Sequence, residues 1–337
     1  MLGPQTMKKT TILNIGAVMA MANVCITLSS CEEDITRETK ATDNHVATRS
    51  TLPIKCSDSA LEAAVSQLLQ KRMTERDCTK GLVYVAEAAT GAIKAHVSLE
   101  RNGDGFSPCE DPEVDEQSVL MAGPTYLILL SSGMYCPGTF IETGNGTYKN
   151  VRDYNWKFGG YGRITLERAV ELRSAVAFAI AKDAAFGHDP ASFDSLQTAY
   201  LAGMPDRLLG MLTFYNAVAN YGHMVQLHSE GTEVVTINDK IAAPRHVRAL
   251  QQAMRSAVEK GGMDKAFLFS DVAACGRNIR AEGDRLRMEL CGFFPTTHPK
   301  YTIMVVLERY KIPAKAEYIC GPVMAGIIDF LYQQHGM

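Results

Sequence analysis

No charge of one sign dominates this sequence. Its 34 lysines and arginines stand against 37 aspartates and glutamates, a formal net charge of -3, so the basic excess of a nucleic-acid-binding surface is missing. Cysteine pairs at C-x-x-C spacing are missing too. The nine cysteines, Cys25, Cys31, Cys56, Cys78, Cys109, Cys136, Cys275, Cys291 and Cys320, are scattered, which gives no support for a zinc site or a thioredoxin-type motif. No metal or other cofactor is expected. Setting aside Cys25 and Cys31 in the N-terminal segment leaves seven cysteines, an odd number that excludes a complete set of internal disulfides. Internal repeats and low-complexity segments are absent. What remains is the composition of an ordinary globular protein, 46% apolar and 21% charged over 337 residues. That length can bury one large core or two modest ones without metal or disulfide staples.

The N-terminus reads as an address. Lys8 and Lys9 precede an apolar stretch from Ile12 to Leu28 that closes with Leu28-Ser29-Ser30-Cys31, the order of a secretory signal. A cysteine after Leu-Ser-Ser resembles the bacterial lipobox, which implies lipid attachment at Cys31, a signal peptide over residues 1–30 and Met7 as the working start. The alternative is an uncleaved anchor, but the run is short of the roughly 20 apolar residues a spanning helix needs, and Asn14 and Asn23 dilute it. Residues 31–58 are polar with no apolar period and read as a flexible tether. The expected location is the cell envelope, held by lipid on the periplasmic or outer side of a membrane.

Residues 59–337 read as one domain. Leu61, Ala64, Val65, Leu68 and Leu69 recur at helical spacing over residues 59–72, with Ser59 placed to cap. Two apolar runs, 82–87 and 92–99, flank Ala89-Thr90-Gly91 as a hairpin. Residues 100–118 hold Gly103, Gly105, Pro108 and Pro112 and read as a loop. Helical patterns follow over 119–130, 166–186, 208–220 and 244–260, then a hairpin of 286–294 with 301–308, then a helix over 322–332. Strands at both ends around a helical block predict an α+β domain whose sheet joins the two termini.

Several stretches resemble the transpeptidase domain of class B penicillin-binding proteins. Residues 82–95 (LVYVAEAATGAIKA) are similar to its opening hairpin, while 142–146 (ETGNG) and 161–166 (YGRITL) are similar to the segment between its first two catalytic motifs. Residues 212–222 (LTFYNAVANYG) match best, and 291–295 (CGFFP) with 299–306 (PKYTIMVV) resemble its last sheet hairpin. These matches keep the family's order from about residue 80 onward. They imply a five-stranded antiparallel sheet with helices on both faces.

The same resemblance implies acyl transfer through a serine, which needs a base within reach to become a nucleophile. The family supplies it as S-x-x-K, completed by S-x-N and by a K-T-G strand. Here the S-x-x-K position falls on Pro124-Thr125-Tyr126-Leu127, S-x-N on Arg173-Ser174-Ala175, and K-T-G on Ala274-Cys275-Gly276. No serine in the chain has a lysine three places on, and no K-T-G or K-S-G occurs, so the loss does not depend on alignment register. The connection from Phe186 to Leu212 is also shorter than the family's, and the pedestal domain is lacking.

No catalytic residue is therefore expected. Thr125 and Cys275 are candidate replacement nucleophiles, weighed against a packing role for Thr125 and a buried strand cysteine for Cys275. His223 and His228 are candidate bases, weighed against plain surface positions. Arg173 and Arg277 would bind a carboxylate if both face the old cleft; the alternative is that they are solvated or structurally paired. One reading is a non-catalytic relative that binds peptidoglycan stem peptides or a cell-wall synthesis protein. The other is an enzyme of divergent chemistry built on Cys275 or Thr125.

Overall fold

The computed structural model describes residues 58–112, 118–204, 206–267, 271–280, 284–310 and 316–335. The signal, Cys31 and the tether up to Ser57 lie outside the described residues. Residues 51–337 form one compact unit.

Continuous apolar runs buried on both faces produce the central strands of the sheet, while the strand Ile93–Asn102 alternates. The sheet comprises β1 (Cys78–Glu87), β2 (Ile93–Asn102), β3 (Gly105–Pro108), β4 (Ala273–Arg280), β5 (Arg285–Phe294) and β6 (Tyr301–Tyr310). They pair antiparallel in the order β4-β5-β6-β1-β2-β3. Leu82 is opposite Val306 and Val85 opposite Ile303, so the first and last parts of the domain meet at the centre of the sheet, as the sequence pattern predicts. The five long strands match the expected number. The sixth, β3, is a correction to the loop reading of 100–118. Gly103, at φ 58°, turns the chain so that Asn102 pairs with Gly105. None of the four β3 residues is buried, which is why no apolar alternation announced it.

Successive side chains on a strand point to opposite faces, and each face builds its own core. Val83, Val85, Ala95, Leu290 and Ile303 pack beneath α1 (Ser59–Glu75) and a C-terminal helix (Gly321–His335). Leu82, Tyr84, Cys291, Phe293 and Met304 pack on the opposite side. That side is covered by α2 (Ala122–Ser131), α3 (Leu166–Leu172), α4 (Ala175–Phe186), α5 (Pro190–Tyr200) and α6 (Arg207–Ala219). Burying one such side chain stabilises the fold by roughly 1.5–3 kcal/mol relative to leaving it in water. A seventh helix, α7 (Pro244–Glu259), gives Leu250 and Met254 to one core and Ala257 and Val258 to the other while packing on β4. It thereby covers an edge that would otherwise offer unpaired backbone groups. Both cores are built from residues between Leu61 and Leu331, so the 51–337 unit carries the packing needed to fold by itself.

Three helix expectations are revised. The cap of α1 is Asp58, not Ser59: its Oδ1 accepts from Leu61 N at 2.9 Å. The single helix expected over 166–186 is two helices. Arg173 takes a left-handed conformation, φ 59°, at the end of α3, and Ser174 starts α4 by accepting from Ala177 N. Helix α5 was not foreseen because only Phe193 and Tyr200 on it are buried, too few for a stripe. Its start was nonetheless written in Asp189-Pro190, a capping acceptor followed by a proline at the first helical position.

Candidate functional site

The start of α2, Arg173 at the α3–α4 junction and Cys275 of β4 meet on the side of the sheet covered by α2 to α6, whereas Ala274, next to Cys275, packs into the opposite core. A 3-10 turn, Val119–Met121, leads into α2, where every residue from Gly123 to Leu130 is buried. Pro124 stands in the first turn of α2, where a missing N–H breaks no helical bond. Proline is therefore accommodated there without cost to the helix. Leu127, one turn on, is fully buried in the apolar core. A lysine there would be a charge taken out of water, which is expensive unless paired. Thr125 is buried as well.

The junction between α3 and α4 is held from below. Ser174 Oγ donates to Asp153 Oδ2 at 2.8 Å and accepts from Ala177 N at 3.1 Å, while Val176 N donates to Asp153 Oδ1 at 3.1 Å. Ser174 and Asp153 are both buried, so the one serine near the old S-x-N position is engaged in capping. Ala175 is the first residue of α4 and offers no polar side-chain atom. Arg173 is half-buried, and its positive charge bears on the Cys275 thiol.

On β4, Ala274 and Cys275 are buried, and Cys275 pairs with Cys291 across the strands. Gly276 survives for a steric reason: a Cβ there would lie 2.2 Å from Glu289 O and 2.9 Å from Leu290 Cα. Arg277 pairs with Glu289 through the backbone; its side chain lies outside the described residues.

The space before α2 is occupied by Tyr215 from α6. Its hydroxyl donates to Leu120 O at 2.6 Å and is hydrogen-bonded to the Cys275 thiol. Burial pushes the Cys275 thiol up, against the lowering influence of the Tyr215 hydroxyl and the Arg173 guanidinium. Burial also holds Tyr215 and Cys291 well above their ordinary values. All three groups are protonated at neutral pH. Tyr215→Phe leaves the Leu120 carbonyl and the Cys275 thiol without this partner inside the core. It is expected to cost about 1–3 kcal/mol, read as a lower denaturant midpoint at unchanged slope.

A second polar pair lies beside this chain. Glu289 is fully buried on the same sheet face as Cys291 and Phe293, and Ser118 Oγ donates to its Oε2 at 2.5 Å. Ser118 also caps the 3-10 turn by accepting from Leu120 N at 3.2 Å. Sequence reasoning missed Ser118, Glu289, Tyr215 and Asp153. The period of two through Glu289, Cys291 and Phe293 was a usable signal for Glu289; the others are brought in by tertiary packing alone. The two candidate histidines make local contacts. His223 Nε2 is 3.3 Å from Thr236 Oγ1, and His228 Nδ1 is 3.0 Å from Glu230 O. Both are half-buried rather than plainly on the surface. Among the described residues, no group of three or more His, Cys, Asp or Glu is arranged to hold a metal ion.

No protein-family model and no curated protein matches the chain. Solved structures do. The crystal structure of a peptidoglycan glycosyltransferase from Burkholderia ambifaria superposes with a TM-score of 0.67 at 16% identity, covering 83% of this chain and 97% of that one. The TP domain of penicillin-binding protein 3 from Burkholderia pseudomallei superposes with a TM-score of 0.64 at 14% identity, covering 82% of this chain and 95% of that one. The fold is that of a penicillin-binding-protein transpeptidase domain.

Proposed function

We propose that this chain is a non-catalytic relative of the transpeptidases: a cell-envelope lipoprotein, attached through Cys31, whose old substrate surface binds peptidoglycan stem peptides or a cell-wall synthesis protein. The observation that carries this reading is the content of the cleft. Pro124 and Leu127 stand where the chemistry needs a nucleophile and its lysine, Ala175 offers no polar side chain, and Ala274 packs into the core on the other face of the sheet. The polar atoms nearby are committed to one another, Cys275 to Tyr215, Tyr215 to Leu120 and Ser118 to Glu289. Arg173, bearing on Cys275 from the α3–α4 junction, is the group in this cleft suited to a peptide carboxylate. The names of the two similar structures, both from peptidoglycan or penicillin-binding proteins, support the envelope setting.

The test is to incubate the 51–337 unit with a fluorescent penicillin and separate it under denaturing conditions. The expected result is no covalent band, with a cooperative melting transition proving the protein folded. A labelled band would overturn the non-catalytic reading, and the mapped adduct would identify the nucleophile.

A further inference from the structure

Between α2 and α3 the chain builds a small module that the cleft does not use. Two ribbons, Phe140–Glu142 with Arg163–Thr165 and Thr147–Tyr148 with Val151–Arg152, frame a 3-10 turn, Trp156–Phe158. Large apolar side chains here are left in water: Phe158 is 87% exposed, Phe140 58%, Tyr154 53% and Trp156 36%. The turn presenting Phe158 is held in place. Gly159 and Gly160 both have positive φ, a Cβ on Gly160 would lie 2.2 Å from Asn145 C, and Asn155 Nδ2 donates to Gly160 O at 2.6 Å.

Cations are interleaved with these rings. The Arg152 guanidinium lies 4.5 Å and the Lys157 ammonium 5.5 Å from the Trp156 ring centre, and the Arg163 guanidinium lies 4.3 Å from that of Phe140. Residues 148–163 hold four basic residues, Lys149, Arg152, Lys157 and Arg163, and one acidic residue, Asp153, in a chain whose net charge is -3. Asp153 is buried and bound to Ser174, Asp183 pairs with Lys149 at 2.5 Å, and Glu142 stands opposite Arg163 with one oxygen accepting from Gly144 N. Arg152 and Lys157, both against Trp156, are the cations that these acids leave uncancelled.

We propose that this module docks on the surface of an anionic phospholipid bilayer, with Phe158 and Trp156 entering the headgroup region and Arg152, Lys157 and Arg163 meeting phosphate. Aromatic rings flanked by cations suit that boundary, where one end of a side chain is wet and the other apolar. A sugar platform is the less fitting occupant. It needs open ring faces, and guanidinium groups lie over one face each of Trp156 and Phe140. No helix among the described residues is long and apolar enough to cross a membrane. The inference does not depend on what the cleft binds.

Trp156 is the only tryptophan of the chain, so its fluorescence reports on this surface alone. The 51–337 unit is mixed with vesicles of phosphatidylcholine, or of phosphatidylcholine with phosphatidylglycerol. The expected result is a blue-shifted Trp156 emission and co-sedimentation with the anionic vesicles, at least about tenfold stronger than with the neutral ones. Arg152→Glu and Lys157→Glu should each weaken binding roughly fivefold or more. Phe158→Ser should abolish the shift, with the melting temperature unchanged because the side chain is exposed. Three outcomes overturn the proposal: equal binding to both vesicles, a shift with soluble glycan fragments but not with vesicles, or self-association with no vesicle binding.

Discussion

Gly276→Ala is expected to destabilise the 51–337 unit by about 3 kcal/mol, lowering its melting temperature by roughly 6–12 °C. The new methyl would meet the Glu289 carbonyl at 2.2 Å and the Leu290 Cα at 2.9 Å. Both are backbone atoms of the paired strand, so no side chain can swing aside. Relief requires β4 and β5 to part, and their separation would disturb the cores on both faces at once. The resemblance of this chain to the transpeptidases implies that Gly276 is the last residue of the K-T-G position. Its retention is explained by the approach of two strands, with no reference to acyl transfer. A variant that melts with the parent would show that the strands can separate freely and would remove this account.

Alkylation of the native protein is expected to modify Cys136 at least about a hundredfold faster than Cys275. Cys136 is exposed, and the Thr139 hydroxyl beside it lowers its pKa, so more of it is thiolate at a given pH. Cys275 is 2% exposed, and burial raises its thiol. A reagent reaches it only when the structure opens, and denaturant should erase the difference. Peptide mapping after brief treatment with iodoacetamide reads both sites in one sample. Rapid modification of Cys275 in the folded state would revive the reading in which it acts as a nucleophile.

Most of the sheet and the long helices could be read from the sequence because their signals are local. Residues 82–87 form an apolar run and 92–99 alternate, around a Thr-Gly turn, and the helix over 244–260 repeats its apolar positions at helical spacing. The break at Arg173 was hidden because apolar residues continue at helical spacing through Leu172 and Val176, on both sides of it. What announces the break is the capping of α4 by Ser174, and that depends on Asp153, twenty-one residues earlier. Ordered comparison of short segments pointed to the transpeptidase fold, which the superposed structures share. The groups that fill the cleft were not legible. Tyr215 and Leu120, or Ser118 and Glu289, are far apart in the chain, and nothing in either segment points to the other.

The pairing of Leu82 with Val306 also governs when this protein can acquire its structure. Strand β1 has one neighbour, β2, close behind it, and the other, β6, only after most of the domain. The middle of the sheet therefore cannot close until residue 306 is free to return to residue 82. Contacts of such long sequence separation bring slow folding, because the chain gives up its freedom before those contacts repay it. The hairpin of β1 and β2 must wait with its apolar edge uncovered, vulnerable to self-association during the interval. A polypeptide kept extended until its last strand has been delivered would escape that hazard, whereas one emerging slowly into a crowded medium would need an escort.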